Sequence, residues 1–109
     1  MNLLLSRNCK LVLLTLYRQI PENLLNNSIP NFYGHWNAKD IHSSFLHQLS
    51  FEQVNIVCWQ LHDLGYLKCF FADDYAYNIQ ITKNGILYCK YRYALIFKNL
   101  LIKLLEMNR

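Results

Sequence analysis

The sequence predicts a mainly α domain with one small β-hairpin, an α+β fold. Three observations carry this expectation. Helix-start signatures recur immediately before residues 38, 51 and 83. Gly65 stands where the second of those helices would end, as C-terminal glycines do. Beyond it, Tyr66 to Phe71 and Ala76 to Ile81 are rich in aromatic and β-branched residues and flank Ala72-Asp73-Asp74-Tyr75, which reads as a hairpin loop.

Composition sets the scale. A chain of 109 residues with 53% apolar and 17% charged side chains suits one core, so residues 1–109 are expected to form a single domain. Three Gly and two Pro exclude collagen-like and Gly/Pro-rich disordered architectures. High apolar content with a net charge of only +4 excludes compositional disorder. The most apolar stretch, Ile86 to Met107, is interrupted by Lys90, Arg92, Lys98, Lys103 and Glu106, which argues against a membrane span.

The start of the chain, MNLLLSRNCKLVLLTLY, superficially suggests a signal peptide. Arg7 and Lys10 interrupt its apolar run and no small-residue cleavage site follows, so it is expected to stay as a helix. That helix is placed at 7–20, with Leu13, Leu16, Tyr17 and Ile20 at helical spacing and Pro21 stopping it. The segment from Pro21 to Trp36 reads as an irregular loop pinned by Leu24, Leu25 and Phe32.

Asn37 then caps a helix whose third residue is Asp40, with Trp36 and Ile41 as a hydrophobic staple. Ser50 and Gln53 form a capping box, stapled by Leu49 and Val54. Thr82 caps the last helix, with Ile81 and Ile86 repeating the pattern. The expected order is a first helix at 7–20, a helix–turn–helix at 38–64, a hairpin at 66–81 and a long helix at 83–107.

Leu61-His62-Asp63-Leu64-Gly65-Tyr66-Leu67 and Ile81-Thr82-Lys83-Asn84-Gly85 fall in this order at the spacing of two motifs, L-x-x-x-G-x-[IVL] and L-T-x-x-G. From Trp36 to Tyr91 the chain therefore resembles the winged helix-turn-helix superfamily, in particular the small MarR-like and PadR-like regulators. The resemblance implies a winged helix with long terminal helices, in which the helix from Phe51 to Leu64 enters a DNA major groove. On that reading Lys39, Ser50, Gln53, Asn55 and Lys68 are the candidate contacts to double-stranded DNA, Gln and Asn being able to read adenine. Ser50 and Gln53 have the plainer alternative of capping the helix alone, and Asn55 that of a solvated residue.

The residues also pull the other way. The helix from Phe51 to Leu64 contains no Lys or Arg, whereas phosphate neutralisation supplies most DNA affinity. Family members commonly carry basic residues at the positions of Ile56 and Trp59. The hairpin tip is acidic, with Asp73 and Asp74, where a minor-groove wing offers Arg or Lys. Opposite a buried face of Val54, Val57, Cys58, Leu61 and Leu64 lie Glu52, Ile56, Trp59 and Asp63. Ile56 and Trp59 either pack beneath the N-terminal segment or loop, or join Phe51 in an exposed patch of the kind that marks a partner surface.

The last helix is apolar over a broad sector, with Ala94, Phe97, Leu101, Leu104 and Leu105 opposite Arg92, Asn99, Lys103 and Glu106. It either covers its own domain or, as the breadth favours, forms a homodimer together with the first helix and its Leu13.

Enzyme chemistry finds no footing: the sequence has no nucleophile motif, phosphate-cradling Gly-rich loop or plausible carboxylate pair. No cofactor or metal is expected, since the four Cys and four His show no ligand spacing. Four widely spaced cysteines read as reduced thiols of a cytoplasmic protein. Two functions remain: a small dimeric DNA-binding regulator, or alternatively a winged-helix module that binds or inhibits a protein partner.

Overall fold

The computed structural model describes residues 5–72 and 75–107, except for the side chains at 95–97 and 107. The elements run α1 Arg7–Tyr17, α2 Glu22–Asn27, β1 Phe32–Trp36, α3 Ala38–Ser44, α4 Phe51–Asp63, β2 Leu67–Ala72, β3 Tyr75–Thr82 and α5 Lys83–Met107. Among the described residues the architecture is α+β, with five helices and one antiparallel sheet of three strands, ordered β1-β3-β2. No helix among the described residues is long and apolar enough to cross a membrane.

The three helix starts lie where their caps put them. Asn37 Oδ1 accepts from the Asp40 N–H at 2.8 Å. Ser50 and Gln53 satisfy each other reciprocally, at 3.1 Å and 2.8 Å. Thr82 Oγ1 accepts from the Gly85 N–H at 3.1 Å and donates to the Gly65 carbonyl at 2.6 Å. One hydroxyl thus ties the start of α5 to the end of α4. Gly65 adopts φ +83°, and the bonds Gly65 N–H to His62 C=O and Tyr66 N–H to Leu61 C=O close α4 in a Schellman turn. A side chain at Gly85 would run into the Tyr66 carbonyl, so this glycine permits the close passage of α5.

Two expectations about the first third of the chain need correction. The first helix ends at Tyr17, and residues 18–20 form a tight turn closed by Gln19 N–H to Leu16 C=O and Ile20 N–H to Tyr17 C=O. Pro21 disfavours helical backbone at Ile20, so the helix unwinds before the proline rather than at it. The segment expected to be an irregular loop contains α2 and the edge strand β1. Of its anchors only Leu25 packs on the core; Leu24 and Phe32 are 39% and 47% exposed.

The core is one cluster. Cys9, Val12, Leu13 and Leu16 of α1 meet Ile41 of α3, Val54, Val57, Cys58 and Leu61 of α4, and the inner sheet residues Leu67, Cys69, Ala76, Ile79 and Ile81. Ile86 and Cys89 bring the start of α5 into it. Burial of this much aliphatic surface is the main favourable term for a domain of this size. Beyond Tyr93, which stacks on Tyr17 with centroids 5.4 Å apart, α5 leaves the body. The molecule measures 58 × 31 × 31 Å, and every described side chain from Lys98 to Glu106 is exposed.

Candidate partner-binding face on α4 and the hairpin

The α4 helix turns Val54, Val57, Cys58 and Leu61 inward, as its spacing predicts. Leu64, expected among them, is 38% exposed, because it is the capping residue where the helix is already turning away. The outward face carries Phe51, Ile56 and Trp59, with Glu52 and Asp63 exposed at either end. Ile56 is 56% exposed and Trp59 45%, so neither belongs to the core.

Trp59 is partly supported from one side. Its indole stacks on Phe71 of β2, centroids 3.6 Å apart and planes 18° apart. The edge of His62 meets the same ring at 5.7 Å, and His62 Nδ1 accepts from the Cys69 N–H at 3.2 Å. Phe51 leans on Tyr75 of β3 at 6.3 Å. Helix and hairpin thus meet through two aromatic pairs, Trp59 with Phe71 and Phe51 with Tyr75. That Phe71 and Tyr75 are the hairpin residues meeting α4 follows from the tertiary packing and not from local sequence.

The candidate DNA contacts fare differently. The polar groups of Ser50 and Gln53 that face each other are used in the capping box. Asn55 is a correction to the solvated reading: it is half-buried, and its Oδ1 accepts from the Ala76 N–H at 2.6 Å, pinning the hairpin to α4. Lys39 is exposed at the start of α3. Lys68 is exposed too, but pairs with Gln80 on the outer face of the sheet, its ammonium 4.9 Å from the Phe32 ring centroid. The alternation of β2 puts it on the face opposite the buried Leu67 and Cys69. Lys68 thus lies on the sheet face turned away from the core, whereas Ser50, Gln53 and Asn55 stand together at the start of α4. Asp73 and Asp74 lie outside the described residues.

Among the dimer candidates, Leu13 is corrected: it is fully buried in the chain's own core and cannot meet a partner. Its neighbours Val12 and Leu16 are equally enclosed, so the inner face of α1 is consumed by folding. Ala94, Leu101, Leu104 and Leu105 are exposed, the last three at 45%, 48% and 69%. The Phe97 side chain lies outside the described residues. Leu100 and Ile102, at 52% and 45%, are exposed as well.

All four cysteines are free and buried. Burial pushes the Cys58 thiol strongly up, and pushes Cys69 and Cys89 up to about 12. Such thiols are inert at neutral pH. A cleft of about 370 Å³ beside the α4 face is lined by Leu5, Ser6, Cys9, Gln60, Asp63 and Leu64. Within it the Cys9 thiol donates to Gln60 Oε1 at 3.3 Å. Among the described residues no group of three His, Cys, Asp or Glu is placed to hold a metal ion.

No family model matches the chain, and neither does any curated protein or solved structure.

Proposed function

We propose that the chain is a winged-helix domain whose α4 face docks onto protein. The winged-helix reading is supported by the order α3-turn-α4 followed by β2 and β3, with β1 pairing as the third strand. Fold alone does not assign function, so the docking claim rests on the surface of α4. The observation that carries it is the exposure of Ile56 and Trp59, flanked by Phe51, on a helix without Lys or Arg. Large aromatic and aliphatic groups in a clustered exposed patch are what protein interfaces bury at their centre. A phosphate backbone would instead meet Glu52 and Asp63, which repel it. A cytoplasmic setting fits the four free thiols. Self-association through the projecting part of α5 belongs to the same reading, since a helix with leucines on most sides belongs against other protein.

DNA binding is the second reading, favoured by the net charge of +4 and the exposed Lys39. Titrating labelled duplexes, the gene's own upstream region included, against the intact chain separates the two. The docking reading expects no saturable binding at low salt. Binding that weakens steeply with salt, in proportion to the phosphates contacted, would favour the DNA reading.

A further inference from the structure

Two bare surfaces of this chain match each other in chemistry. The α4 face presents Phe51, Ile56 and Trp59 between the carboxylates of Glu52 and Asp63. The far end of α5 is apolar on most sides, with Leu100, Leu101, Ile102, Leu104 and Leu105, and carries Lys98 beside Leu101 and Ile102 and Lys103 beside Leu100 at the edges of the leucine sector. One face is apolar and acidic, the other apolar and basic, with Glu106 the sole acid of α5.

The chain also carries more surface than its mass requires. It exposes 7524 Å², whereas a compact monomer of 13.0 kDa exposes about 6,300 Å². Its radius of gyration is 15.3 Å, against about 13 Å for a compact chain of this length. The excess, about 1,200 Å² per chain, would let a pair bury what a stable interface buries.

Resting on the docking reading of α4, we infer that its occupant is the distal part of α5 from a second copy of this chain, reciprocally in a two-fold dimer. The chain's own α5 does not fill that role, because its side chains from Lys98 to Glu106 are all exposed. Pairing α5 with α5 would bring together helices that each carry Lys98 and Lys103, whereas α4 offers the opposite charge. Reciprocity closes the pair; a one-way contact would propagate into a filament.

The test is charge exchange on the full-length chain, read by sedimentation velocity. One variant carries Glu52→Lys and Asp63→Lys, the other Lys98→Glu and Lys103→Glu. All four side chains are exposed, so both variants should keep the parent's circular dichroism. The parent is expected to be a dimer and each variant alone a monomer at the same concentration. Mixed one to one, the variants should form a heterodimer, because both contacts are then complementary again. A parent that sediments as a monomer overturns the inference. So does an α4 variant that stays dimeric while the α5 variant dissociates: α5 then pairs with α5, and the α4 face remains open to a different protein. Failure of the docking reading itself would show separately, as salt-sensitive duplex binding by the intact chain.

Discussion

Trp59 lies flat on Phe71, ring centroids 3.6 Å apart, yet keeps 45% of its surface open to solvent. The indole holds the hairpin against α4 while nearly half of its surface stays open to solvent. Trp59→Ala should therefore cost about 1–2 kcal/mol, the loss of one aromatic stack and part of its burial. Trp59→Phe should recover most of it. Urea denaturation checks both values. A cost above about 3 kcal/mol would mean a fully buried indole.

Asn55 gives a sharper separation of structural from nucleic-acid roles. Its Oδ1 is the acceptor for the Ala76 N–H at 2.6 Å, and Ala76 is fully buried. Asn55→Leu should destabilise the chain by about 1–3 kcal/mol, the penalty of an unsatisfied buried donor. A surface residue reserved for reading bases would show almost no change in the same denaturation curve.

Thr82 and Gly85 form the joint between the sheet and α5. Thr82→Val removes a hydroxyl that both accepts from Gly85 and donates to Gly65, and should cost about 1–2 kcal/mol. Gly85→Ala drives a methyl into the Tyr66 carbonyl and should cost at least as much, about 1–3 kcal/mol from overpacking. Thermal unfolding of the two single variants measures both.

The buried thiols set a pH dependence of known sign. Burial raises Cys69 and Cys89 from 9.0 to about 12, so the folded state holds its thiol protons more tightly than the unfolded chain. Their contribution is fully present below pH 9 and is lost as pH rises from about 9 towards 12. Tyr17 and Tyr93, both raised chiefly by burial, act in the same direction at higher pH. The urea midpoint should fall between pH 8 and pH 11, and less steeply in Cys89→Ala. In native protein at pH 8, thiol reagents should modify the cysteines far more slowly than in denaturant.

Much of this was legible in the sequence, for a physical reason: helix caps are local. Asn37, Ser50 and Thr82 satisfy donors within three residues, so α3, α4 and α5 begin where their side chains dictate. Strand β1 was not legible. It exists by pairing with β3 some fifty residues away, and Gly34, at φ +100° beneath the Trp36 ring, disguises it as loop. The core role of Leu13 was missed because helical spacing gives a face but not what covers it. The outward face of α4 could be read from periodicity, whereas the Phe71 support under Trp59 depended on the hairpin register. In the last helix, apolar breadth foretold exposure but not the matching charge on α4.

If a second copy of the chain covers the bare face of α4, a charge placed at Ile56 must break the dimer, and sedimentation of Ile56→Glu reads this. Ile56 is 56% exposed and contributes little to the core, so the variant should fold with nearly the parent's stability. A carboxylate there would lose its hydration at the apolar centre of the docked face. The parent is expected to sediment as a dimer and Ile56→Glu as a folded monomer at the same concentration. A variant that remains fully dimeric would mean that the second copy does not sit on α4.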